Sequence, residues 1–227
     1  MSRRRRAGRS GTLLAVRAAI VIFEGVDDLD AFGPFEVLAN AALARTELEV
    51  RLLTLENADE IRTSHGATLR PDGVLDDFDP ELLIVPGGGW NDRAEHGAWA
   101  EAHRPELPDA ISRCHQAGAV VASVCTGAGI LAAAGVLDGR PATTHHAAQQ
   151  DVRDRGVEII DARVVDDGDV LSAGGVTAGI DLALWLVERQ WGKKLADLIA
   201  DEIEYERRGP VHHGARSNHL APSAESS

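Results

Sequence analysis

The chain has 227 residues, 44% of them hydrophobic, and a formal charge of 23 − 36 = −13. That is enough apolar material for one sizeable core, and the negative balance excludes a nucleic-acid-binding role for the domain as a whole. Two cysteines are too few for a disulfide framework, and no apolar run reaches the roughly 18–20 residues of a membrane-crossing helix.

The first residues form a basic arm, Arg3-Arg4-Arg5-Arg6 with Arg9, followed by Thr12-Leu13-Leu14-Ala15-Val16. A twin-arginine export signal would begin in this way. The apolar run breaks at Arg17, however, and leads directly into the strand-like Ala18–Phe23 with no small-residue cleavage site between them. Residues 1–17 read as a disordered basic extension or an over-long start, and residues 18–208 as one α/β domain. Residues 209–227 end in a small, polar, proline-bearing stretch and read as a flexible tail. The protein is expected in the cytoplasm.

Within the domain, strand-like and helix-like patterns alternate. Ala18–Phe23 is a strand, Ala31–Ala44 a helix, Glu49–Leu55 a second strand, and Ile61–Leu69 a short hairpin around Gly66. Leu82-Leu83-Ile84-Val85 is a wholly apolar strand closed by Pro86-Gly87-Gly88-Gly89. Helix Pro105–Ala117 carries Cys114 as a packing residue and closes on Gly118; strand Ala119–Val124 and helix Thr126–Ala134 follow. Pro141–His145 predicts a short strand and Ala147–Arg155 a helix. Arg163–Val165 and Val170–Ser172 predict a hairpin about Asp166-Asp167-Gly168-Asp169. Ile180–Arg189 and Leu195–Glu206 are two closing helices. Short apolar strands between amphipathic helices argue a largely parallel sheet covered on both faces, with sites beyond the carboxyl ends of the strands.

Three segments fall on that edge. Cys125 ends an apolar strand and precedes Thr126-Gly127-Ala128-Gly129, the small residues that a sharp strand-to-helix turn requires. This is the pattern of a nucleophile elbow with cysteine in place of serine. A helix N-terminus there favours thiolate, so the thiol pKa is expected below its ordinary value of roughly 8.5. A buried structural cysteine is the alternative reading of the position. Asp30, in Asp27-Asp28-Leu29-Asp30-Ala31-Phe32-Gly33-Pro34, suits either a helix N-cap or an acid beside the thiol. Gly87-Gly88-Gly89 lacks the lysine of a phosphate loop and instead suits backbone N–H groups brought close to a reacting atom. His145-His146 and His212-His213 are adjacent pairs rather than i, i+4 pairs on one helical face, and no metal is expected.

The motifs Asp30-Ala31-Phe32-Gly33-Pro34-Phe35-Glu36-Val37-Leu38, Val85-Pro86-Gly87-Gly88 and Ser123-Val124-Cys125-Thr126-Gly127-Ala128 resemble the ThiJ/PfpI superfamily. These proteins are relatives of the class I glutamine amidotransferases. Two further stretches, Leu131 to His145 and Gly174-Gly175-Val176-Thr177-Ala178-Gly179-Ile180-Asp181, look like its isonitrile hydratase branch. The resemblance spans about Ala18 to Tyr205. It implies a flavodoxin-like three-layer sandwich, a small-molecule substrate, no organic cofactor and a homodimer. It also implies Cys125 as nucleophile, Asp30 as its acidic partner, and Thr126 as the neighbour whose hydroxyl and N–H lie near the reaction. Gly87 and Gly88 would frame the pocket, with the Gly88 N–H pointing into it. Sensor domains of some AraC-type regulators share these motifs, but this chain has no room after the last helix for their DNA-binding domain.

The reaction implied is hydration of an isonitrile to an N-substituted formamide, through a thioimidate on Cys125 with Asp30 as acid and base. Burial is expected to raise the Asp30 pKa so that it can act as an acid. His145 would stand in support near Cys125, and Trp90 would cap the pocket. Proteolytic relatives place histidine directly after the cysteine; Thr126 stands there in this chain. The alternatives are a glyoxalase-like enzyme on the same cysteine site and a non-enzymatic cysteine-based redox or ligand sensor.

Overall fold

Eight strands form one sheet because their sequences carry few polar side chains between turns. A computed structural model describes residues 16–44 and 47–217. In chain order the elements are β1 (Val16–Val21), α1 (Asp28–Ala44), β2 (Leu48–Thr54), β3 (Ile61–Arg62), β4 (Thr68–Leu69), β5 (Gly73–Val74) and β6 (Leu82–Val85). Next come α2 (Ala98–Ala102), α3 (Glu106–Gln116), β7 (Val120–Val124), α4 (Gly127–Ala133), β8 (Pro141–Ala142), α5 (Gln149–Asp154) and β9 (Glu158–Ile159). The last are β10 (Val164–Asp166), β11 (Val170–Ala173), α6 (Ala178–Trp191), α7 (Lys193–Glu202) and β12 (Val211–His213).

The sheet runs β12-β10-β11-β7-β6-β1-β2-β5. All neighbours are parallel except β10 and β11, the antiparallel hairpin read from the sequence. Helices α1, α6 and α7 pack together on one face, and α2, α3 and α4 on the other. The expected α/β three-layer sandwich is therefore the observed one. All four residues of β6 are buried, as a strand covered on both faces requires. Each Leu or Ile enclosed there contributes roughly 1.5–3 kcal/mol. Helices α1 and α6 cross closely at small residues. A Cβ on Gly179 would stand 3.0 Å from Val124 Cγ1 and 3.2 Å from Pro34 Cδ.

The differences from the sequence reading are local. The strand expected at Ala18–Phe23 begins two residues earlier, and helix α1 starts at Asp28 rather than Ala31. The strand expected over Pro141–His145 stops at Ala142 and pairs with β9, which the sequence did not announce. The segment read as a flexible tail supplies an edge strand: β12 pairs with β10, Val211 opposite Val164. Beyond it, the Arg216 guanidinium lies 2.9 Å from Asp167, a carboxylate only 1% exposed that Arg140 also contacts at 3.2 Å. The basic residues Arg3–Arg6, and 218–227 of the tail, lie outside the described residues. No helix among the described residues is long and apolar enough to cross a membrane.

Truncation after Gly209 removes β12 and one of the two cations that satisfy Asp167. The expected loss is about 2 kcal/mol, read as a lower urea midpoint; an idle tail would leave the midpoint unmoved.

Candidate active site

The sheet order places the carboxyl ends of β7, β6 and β1 side by side, so Cys125, Gly87 and Asp30 meet although 57 residues separate Asp30 from Gly87. Cys125 follows β7 with φ +57°, a left-handed conformation that a non-glycine residue adopts only when its surroundings hold it. Here they do. The Cys125 N–H donates to Ala173 O at 3.1 Å, and the Cys125 carbonyl accepts the Thr144 hydroxyl at 2.8 Å and the His145 N–H at 3.4 Å. The elbow read from the sequence is thus clamped from β11 on one side and from the segment after β8 on the other.

Asp30 sits inside the first turn of α1 and is fully buried. Its Oδ2 accepts the Gly87 N–H at 3.0 Å, Oδ1 has no partner, and the carboxylate and the Cys125 thiol act on each other electrostatically. Burial, with the Asp27 charge adding to it, pushes the Asp30 pKa from 3.8 up to about 7, against the opposing effects of Gly87 and Cys125. The N-cap role belongs instead to Asp27, whose Oδ1 accepts the N–H groups of Leu29 at 3.1 Å and Asp30 at 3.4 Å. Asp27 also donates its own N–H to Gly87 O at 2.9 Å. Its charge reaches Asp30, Cys125 and His145, and sequence reasoning missed it. The available signal was its place just before the helix.

The expected low thiol pKa is overturned. Burial first, and then the Asp30 carboxylate, push the Cys125 thiol up; the Thr126 N–H, the local form of the helix-terminus effect, works the other way and is outweighed. The resting pair is a neutral thiol against a carboxyl group that titrates near neutrality, holding one proton between them above about pH 7.

Thr126 is 4% exposed, and its Oγ1 accepts the Gly88 N–H at 3.0 Å. The Gly88 donor is therefore occupied by Thr126 rather than open to a reacting atom, which leaves the Thr126 hydroxyl proton free to point elsewhere. Gly87 lies where these groups converge. A Cβ there would stand 2.6 Å from Thr126 N and 2.9 Å from Asp30 Oδ2, so no side chain fits.

Two further expected residues are held as follows. The His145 N–H donates to the Cys125 carbonyl at 3.4 Å; its ring Nδ1 accepts the Ala147 N–H at 3.3 Å, and burial and His146 lower the His145 pKa. Trp90 is buried. Its ring lies against Gly129 of α4, packs edge-on to Trp99 at 5.2 Å, and donates Nε1–H to Asp151 at 2.8 Å.

Two outcomes follow from the Asp30–Cys125 pair. Alkylation of Cys125 by iodoacetamide should rise as pH passes about 7 in the wild type, because the Asp30 carboxylate formed there can take the thiol proton as sulfur attacks, and this step should vanish in Asp30→Asn. An Asp pKa raised on folding means that stability is fully present below about 3.8 and is lost as pH rises through about 7. At 1.36 kcal/mol per pKa unit the cost is on the order of 4 kcal/mol, so Asp30→Asn should melt higher than the wild type at pH 8, with the gap narrowing at pH 5.

Comparison with known proteins shows the family. The chain is 32% identical over 212 residues to the isonitrile hydratase of Pseudomonas putida, covering 93% of this chain and 87% of that protein. It is 30% identical over 161 residues to a deglycase of Thermococcus kodakarensis, covering 70% and 89% respectively. A ThiJ/PfpI family protein from Pseudomonas syringae superposes with a TM-score of 0.76 at 25% identity, over 86% of this chain and 77% of that one. The sequence model of the DJ-1/PfpI family matches residues 16–189, from the first strand to the end of the helix that packs on α1, and the chain belongs to that family.

Proposed function

We propose that the protein hydrates isonitriles to N-substituted formamides, with Cys125 as nucleophile and Asp30 as the group that carries the proton. The observation behind this reading is a fully buried carboxyl group, held by the Gly87 N–H, that meets the elbow cysteine at the sheet edge and is pushed by burial to titrate near neutrality. Its relative from P. putida, similar along nearly the whole chain, gives the substrate class.

The chemistry suits such a pair. The terminal carbon of R–N≡C accepts both a nucleophile and a proton. Cys125 Sγ bonds to that carbon while its proton passes to Asp30 and on to the same carbon, giving the thioimidate R–N=CH–S–Cys125. No free thiolate is required beforehand, which fits a thiol held neutral by burial. Water then adds to the imidate carbon: Asp30 takes a proton from the water, the nitrogen gains one, and the carbon–sulfur bond breaks. The sulfur recovers its proton, and R–NH–CHO leaves. In this reading the Thr126 hydroxyl orients the water, and the bond that its oxygen accepts from the Gly88 N–H supports that role.

Against the sensor reading stands the thiol itself. Oxidation follows thiolate character and exposure, and Cys125 is 5% exposed with its pKa raised. A glyoxalase-like reaction would use the imidazole of His145 as base, and in this structure the Nδ1 of that ring is taken by the Ala147 N–H.

Incubation with an aryl isonitrile, followed by mass spectrometry, should yield the formamide from the wild type and none from Cys125→Ala. Asp30→Asn should lower kcat at least 100-fold, the ordinary scale of a lost acid–base group. A folded, reduced wild type that forms no formamide ends this reading.

A further inference from the structure

The hairpin β3–β4 is fastened to the segment that leads into Asp30. Its Arg62 carbonyl accepts the Gly25 N–H at 2.8 Å, and its Ser64 N–H donates to Val26 O at 2.9 Å. The Thr63 hydroxyl donates to Asp28 Oδ1 at 2.8 Å, and the Arg62 N–H donates to Glu24 Oε2 at 3.1 Å. At the tip, His65 reaches back over the lip of the site. Its Nδ1 lies 2.9 Å from Asp28 Oδ2 and 4.0 Å from Asp27 Oδ2. Three carboxyl groups fall within the four residues Asp27 to Asp30, and this imidazole faces two of them.

We propose that His65 is a positioning residue for the Asp30–Cys125 pair: as an imidazolium it bridges Asp27 and Asp28 and offsets the field that these carboxylates place on the site. The route runs through Asp27, whose charge bears on Asp30, Cys125 and His145. The charged groups that act on His65 are Asp27 and Asp28; Asp30 follows them in the first turn of α1, and Glu24 and Arg62 meet at the base of the hairpin. Beyond Asp27 stand Cys125 on the elbow and His145 after β8. The hydrogen bond to Asp28, and then the charges of Asp27 and Asp28, raise the His65 pKa above 6.5. The imidazolium bridge is therefore complete below pH 6.5 and dissolves as pH rises through the raised value. Proton loss at the lip opposes proton loss at Asp30, because it restores the negative field of Asp27 and Asp28.

The test is the pH profile of Cys125 alkylation by iodoacetamide in the wild type, His65→Gln and His65→Lys. It needs no turnover, so it stands apart from the hydratase reading and rests only on the Asp30–Cys125 pair. The side chain of His65 is 71% exposed, so both substitutions leave the core untouched. Glutamine keeps a hydrogen bond to Asp28 without charge; lysine keeps the charge at every pH used. The inflection near pH 7 should move up by about half a pH unit in His65→Gln and return to or below the wild-type position in His65→Lys. Equal inflections in all three proteins, a common shift in both variants, or no inflection in the wild type would overturn the proposal.

Discussion

Everything at the carboxyl edge depends on the missing side chain of Gly87. The first turn of α1, the loop after β6 and the elbow after β7 converge on its Cα, within the space that a single methyl group would fill. Its N–H binds the Asp30 carboxylate and its carbonyl binds the Asp27 N–H, so one residue fixes both the acid and the cap of the helix that carries it. A larger residue would separate Asp30 from Cys125, and the coupling between thiol and carboxyl group would go with the distance. Gly88 repeats the constraint from below. With φ +124°, a Cβ there would stand 2.6 Å from Asp27 N.

That close approach has an energetic consequence. A carboxyl group sealed against a thiol, with one oxygen unpartnered, is a poor choice for stability at alkaline pH. The fold tolerates it because the strands beneath are wholly apolar and the helices on either face are closely crossed. The destabilising element is confined to a few atoms at the rim of a well-packed sheet. The result is a carboxyl group that titrates near neutrality beside a thiol that burial keeps neutral.

Much of this was legible in the sequence, for reasons that can be named. Buried parallel strands show themselves as uninterrupted apolar runs, and Leu82–Val85 has no other sensible reading. The elbow was legible because a cysteine followed by Thr-Gly-Ala-Gly permits a turn that larger residues forbid. What escaped depends on distances across the chain. The helix-terminus effect on Cys125 was correctly anticipated in sign, yet its competitors, burial and the Asp30 charge, exist only once the three loops meet. The partner of the Gly88 N–H, a side chain 38 residues away, was equally invisible. Trp90 follows a glycine run and reads as a loop residue over a pocket, but Gly129 leaves a hollow on α4 that its ring fills. Helix α2 and strand β12 are five and three residues long, too short for any periodicity to register.

The clasp at the far edge of the sheet bears on how the chain reaches its native state. Strand β12 pairs with a partner 47 residues earlier, and it is the most C-terminal strand described. During synthesis the edge that carries Cys125 can close while β10 still shows open backbone groups along one side, with Asp167 waiting for Arg216. A half-made chain is therefore adhesive along that border, and its risk of pairing with a neighbouring nascent chain ends only when the final segment emerges.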